Sequence, residues 1–216
     1  NLQIFTLSVV LLFPILNFYI FFKILTNNFK IKEHQEDLHL VLLLITIVLF
    51  FYFLIIPEEG IVNILLSVTT SLATSGISTY SGNFDVSLFF IILTIIGGSL
   101  LSTSSGFKYV RFYILLKVSY QEIYKLVKPI NIFNRNLFNS EIIVDDDDTK
   151  KSFLVFISFI AAIFVLTAIL TLDNISFESS FKLSILTLTN TTVSSLYGLN
   201  NISFFEMNSF TKTFLI

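Results

Sequence analysis

Apolar residues run almost unbroken from 2 to 25, interrupted in composition only by Pro14 and a few polar positions. A hydrocarbon core about 30 Å thick needs roughly 20 apolar residues per helical crossing, so the run predicts a membrane span. Lipid penalises non-helical alternatives, so Pro14 is expected to kink that span rather than end it. The polar stretch 26–39 predicts a loop, and the nearly charge-free run 40–56, closed by Pro57, predicts a second span. The segment 60–74 is too short to cross and predicts a re-entrant half-helix, followed by a Thr/Ser/Gly turn at 74–78. Residues 84–118 then read as one long span broken in its middle by the Gly/Ser/Thr stretch 97–106. A polar loop, 119–151, carries an amphipathic interfacial turn near 120–127 and the acidic run Asp145, Asp146, Asp147 and Asp148. A further span starts at 152, and a second short helix, 175–189, ends in another Thr-rich turn at 189–194 before a last apolar run begins. Span, half-helix, turn and span thus recur from 40 and from 152, the pattern of an internal duplication. Both ends of the chain fall inside apolar runs and look cut, so the first run reads as the tail of an earlier span and the last as the beginning of another.

Composition narrows the class. With 54% hydrophobic and 13% charged residues, no soluble domain of this size could clothe its surface, so the expected architecture is an all-α membrane protein. The absence of cysteine excludes disulfides, thiolate metal sites and a cysteine nucleophile. A net charge of −2 with scattered Lys and Arg excludes a nucleic-acid surface. Eleven of the 13 basic residues fall in 23–32 and 108–151, which places the loops 26–39 and 119–151 in the cytoplasm and has the half-helices descend from outside. Glu58, Glu59, Asp85, Asp173, Glu178 and Glu206 then gather at the outer mouth, where they would concentrate cations.

A half-helix entering from outside aims its C-terminal end, with about half a negative charge, at the bilayer centre. Extended backbone beyond it can replace an ion's hydration shell with carbonyl oxygens. Thr74, Ser75, Gly76, Ile77 and Ser78 suit that role, and Asn190, Thr191 and Thr192 occupy the matching place in the second unit. The plainer reading is a helix closed by a C-cap glycine. Gly97, Gly98, Ser99, Ser102, Thr103, Ser104, Ser105 and Gly106 are either close-packing small residues or a movable plug. Lys108 and Arg111 are expected to anchor the span at the cytoplasmic interface. The Asp145–Asp148 run reads as a solvated face, and His34 and His39 as interfacial, with no ligand set for a metal centre. No catalytic triad, phosphate loop or dinucleotide motif is present, so enzyme activity is not expected.

The stretch SVTTSLATSGISTYSGNFD is similar to the third pore segment of the TrkH/KtrB family, and IGGSLLSTSSGFKYVRFYILLK resembles that family's glycine-rich break with its following basic half-helix. PILNFYIFFKI and EDLHLVLLLI resemble the end of the second repeat and the start of the third, so nearly the whole chain is covered. The resemblance implies four span, pore-helix, span repeats around one pore that takes up potassium across the bacterial inner membrane. It also implies a filter at 74–78 and 189–194, a gating loop at 97–106, and a cytoplasmic nucleotide-binding ring of the TrkA/KtrA kind as regulatory partner. Homodimerisation and contact with membrane lipid are expected, with potassium the only metal and no cofactor in this chain. The fourth segment departs from the family pattern: LTNTTVSSLYGLN sets Thr192 where the filter glycine would stand. That departure suits a less selective sodium and potassium transporter, or a non-conducting scaffold.

Overall fold

The computed structural model describes residues 2–26, 34–55, 60–79, 86–128, 136–138, 144–173, 175–199, 208 and 211–213. Glu58, Glu59, Asp85 and Glu206 of the expected acidic mouth lie outside the described residues. The chain forms helices α1 (Leu2–Val10), α2 (Phe18–Leu25), α3 (Gln35–Phe50), α4 (Ile61–Leu72), α5 (Ser87–Ile96), α6 (Tyr109–Val127), α7 (Asp146–Thr171) and α8 (Phe177–Leu188). A π-helical turn, Phe51–Ile55, prolongs α3, and a 3₁₀ turn, Ser195–Tyr197, follows α8. There is no strand among the described residues.

The segment 2–25, expected as one kinked span, is two helices. Proline lacks an N–H and its ring collides with the carbonyl four residues earlier, and α1 stops at that residue, Val10. The chain crosses the gap in tight turns, with Leu12 N donating to Val9 O at 3.1 Å and Phe13 N to Val10 O at 3.1 Å. Asn17 restarts the helix as N-cap, its side chain accepting from Tyr19 N at 2.9 Å. Two expected loops are also shorter than their polarity suggests. Helix α3 begins at Gln35, with Glu36 and Asp37 in its first turn, and α7 begins at Asp146 with Asp145 as cap. Carboxylates at these positions meet the positive end of the helix dipole, so the acidic runs nucleate helices rather than interrupt them. The interfacial turn expected near 120–127 is the continuous end of α6.

Helices α3, lengthened by its π turn to Phe53, and α7 are long and apolar enough to cross a membrane. Their outward residues are themselves large and apolar, with Leu42 60% and Phe164 61% exposed, so hydrocarbon is their solvent. The inner layer is α4, packed by α1, α3 and α5, while α8 lies against α7 and α5. Ile64, Leu66, Val68 and Leu72 of α4 are buried, and Phe51 stacks on Phe90 of α5 at 5.1 Å. The hydroxyls in this apolar layer are satisfied locally. Ser67, Thr69 and Ser71 donate to carbonyls one turn back in α4, and Thr187 and Thr189 do so in α8. Thr167 of α7 and Ser184 of α8 share a bond at 2.9 Å, a polar tie between those two helices.

Candidate functional site

Helices α4 and α8 end in the same way. Ala73 N donates to Thr69 O and Ser75 N reaches five residues back to Thr70 O at 3.0 Å. Thr189 N donates to Ile185 O and Thr191 N reaches back to Leu186 O at 2.8 Å. Between these bonds Thr74 and Asn190 take left-handed conformations, with φ 55° and 50°, the closure that glycine or asparagine ordinarily supplies. Thr74 is β-branched and strained there. Its hydroxyl compensates, donating to Ala73 O at 2.7 Å and accepting from Ser105 N at 3.1 Å.

Pairing Thr74 with Asn190 sets Ser75 level with Thr191 and Gly76 level with Thr192. The two turns touch at that level. Thr192 Oγ1 donates to the carbonyl of Ser75, and a Cβ placed on Gly76 would lie 2.2 Å from Thr192 O. Gly76 also has φ 73°, so both the backbone angle and the approach of Thr192 demand glycine. The structure thus brings Ser75, Gly76 and Thr192 together, while Ile77 and Val193 face outward, 42% and 46% exposed.

The stretch 97–106 sits under Thr74 through the Ser105 bond. Its ends meet: Phe107 N donates to Ile95 O at 2.7 Å and Tyr109 N to Gly98 O at 3.0 Å. Gly97 (φ 62°) and Gly106 (φ 90°) permit this closure, because a Cβ on Gly97 would lie 2.3 Å from Ser105 O. Serines knit the interior, with Gly98 N donating to Ser104 Oγ at 2.8 Å and Ser102 Oγ to Ser99 O at 2.7 Å. Thr103 is exposed at the tip. These glycines serve close approach, and the loop is a hydrogen-bonded excursion rather than an unwound helix.

Lys108, expected as an interfacial anchor, makes bonds that the sequence did not announce. Its ammonium turns back into the loop, donating to Ser102 O at 2.9 Å, Ser102 Oγ at 3.1 Å and Ser104 O. Arg111 lies in the first turn of α6 and is half-buried. His34, expected at an interface, is buried with its Nδ1 3.8 Å from Asp37, and His39 stacks on Phe138 at 4.9 Å.

Residues that the sequence reading passed over complete the site. Glu36 Oε1 accepts from Leu100 N at 2.6 Å, and Asp37 Oδ1 accepts from Asn17 N at 2.8 Å. An acidic pair just before an apolar run is a helix-start signal, and it could have moved the start of α3 back. In α8, buried Lys182 bonds Glu178 at 2.7 Å and Ser87 Oγ of α5 at 3.1 Å, close beside Gly198. Its i, i+4 spacing from Glu178 was readable, but the contact with Ser87 was not.

All-α packing, apolar outer helices and paired half-length inner helices define a membrane protein of the pore-helix-repeat class. No protein-family model and no curated protein sequence matches the chain. Its structure is similar to the crystal structure of the potassium transporter TrkH from Vibrio parahaemolyticus, with a TM-score of 0.82 at 17% sequence identity. The match covers 96% of this chain and 47% of that one, so the chain spans about half the length of the solved transporter. The fold is that of TrkH, as the sequence resemblance implied.

Proposed function

We propose that the chain forms two of the pore repeats of a potassium uptake system in the bacterial inner membrane. The observation that carries this reading is the meeting of two half-helix C-terminal turns, where Ser75, Gly76 and Thr192 converge at the ends of two helix dipoles. Such ends attract a cation, and the irregular backbone after them is tolerated at membrane depth only where it lines a cavity or is buried in protein. In this reading Thr74, Ser75, Gly76, Ile77, Ser78, Asn190, Thr191 and Thr192 form half of a filter, and 97–106 is the gate beneath it. The ion is cargo, and the work of the protein is selection and passage rather than catalysis. A nucleotide-binding ring on the cytoplasmic side and a second copy of the transporter complete the assembly. Thr192 favours a less selective variant that also passes sodium, because its hydroxyl occupies the Ser75 carbonyl that would otherwise be offered to an ion. Potassium and sodium uptake by the full-length protein in cells lacking other potassium uptake tests the reading. Potassium-dependent rescue of growth is expected, and absence of flux of either ion would leave a non-conducting scaffold.

A further inference from the structure

A helix broken by proline leaves carbonyls without partners, and at membrane depth each must find one. The gap between α1 and α2 leaves Pro14 O and Ile15 O, and both are taken by the loop. Ser104 N donates to Pro14 O at 3.0 Å and Ser99 N to Ile15 O at 2.9 Å, while Phe18 N returns a bond to Leu101 O at 3.3 Å. Gly98 makes the approach possible, since a Cβ there would lie 2.5 Å from Ile15 O. The loop is therefore seated on a complementary strip of backbone from a distant segment.

We propose that the first turn of α3 is the clamp on this joint: Asp37 holds the strip, Glu36 holds the loop, and release of the loop requires these bonds to break. The two carboxylates are adjacent in sequence and grip opposite sides. Asp37 Oδ1 takes Asn17 N at the end of the strip. Glu36 Oε1 takes Leu100 N at the crown of the loop. A carboxyl oxygen accepts from these two amides in either protonation state, so the grip rests on geometry, and the N-terminal end of α3 favours negative charge at both positions. Lys108 fastens the loop from its other end, its ammonium bonded to Ser102 and Ser104. Glu36 and Asp37 are thus positioning residues for the gate, and their effect on flux rests on the transport reading above.

Hydrogen exchange of the full-length protein tests the clamp without reference to transport. Removing the carboxyl acceptor in Glu36→Ala is expected to speed exchange in 97–106 by about tenfold or more, with α7 and α8 unchanged. Glu36→Gln keeps a neutral acceptor and should give a smaller acceleration in the same segment; it also decides the matter if Glu36→Ala fails to fold. Potassium uptake per folded molecule should rise in Glu36→Ala while the potassium to sodium ratio holds. Unchanged exchange in 97–106, or equal acceleration throughout the molecule, would overturn the clamp. A wild-type protein that carries no cation would defeat the transport reading alone, because exchange still reports whether Glu36 holds the loop.

Discussion

Helices α4 and α8 reach the same terminal geometry by different chemistry. In α4 the left-handed position is a strained Thr74, held by the Ser105 amide of the loop below, whereas α8 uses Asn190, a residue at ease there. Two positions on, Gly76 leaves a space and Thr192 fills it. The level of Leu66, fully buried in α4, is taken in α8 by Lys182, tied to α5 through Ser87. The two units are therefore complementary rather than equivalent. One receives the loop and yields room; the other supplies the side chain that fills the room and the cation that fastens the pair.

Gly76→Ser breaks the complementarity most severely. The new Cβ meets the Thr192 backbone at 2.2 Å in a left-handed conformation, and we expect about 3 kcal/mol of destabilisation from overpacking and strain together. Thermal unfolding in detergent should show the loss, and the potassium to sodium uptake ratio should fall. A wild-type melting curve would mean that the turns do not meet.

Thr192→Gly makes the second turn resemble the first. Losing the bond to Ser75 and adding backbone freedom should cost about 1–2 kcal/mol, while the freed carbonyl should sharpen selectivity or leave it unchanged. Collapse of transport in folded protein would instead make Thr192 an ion ligand. Lys182→Leu copies the α4 residue into α8. Glu178 is 74% exposed and stays solvated, so only about 1 kcal/mol should be lost. A loss several times larger would show that the ammonium supports more than the bond to Ser87.

The smallest effect is expected outside the membrane, where the Thr211 hydroxyl and then Asn208 hold the Asp173 carboxyl below its ordinary pKa. A depressed carboxylate pKa adds stability above its unfolded value and loses it as pH falls through the folded one. Protection at 208 and 211–213, corrected for the intrinsic pH dependence of exchange, should therefore fall on acidification through the range below ordinary carboxylates, and Asp173→Asn should remove that dependence.

The two long apolar helices, the two half-length helices and the polar turns that end them were legible in the sequence, because a membrane imposes helix length and apolar composition residue by residue. Thr74, Ser75 and Gly76 stood out for the same reason: small hydroxyl residues and glycine end an apolar half-helix abruptly. The split at Pro14 was legible only as a kink, since whether a proline bends or ends a helix depends on who takes the freed carbonyls. Those partners, Ser99 and Ser104, lie more than 80 residues further along the chain. Glu36 and Asp37 read as loop because their polarity was visible and their recipients, Leu100 and Asn17, were not. Lys108 read as an interfacial anchor for the same want of a partner. Chain pattern determines where a group must be satisfied, since desolvation acts on each residue alone. Only the tertiary structure decides which distant backbone or side chain satisfies it, because that bond depends on two segments arriving at one place.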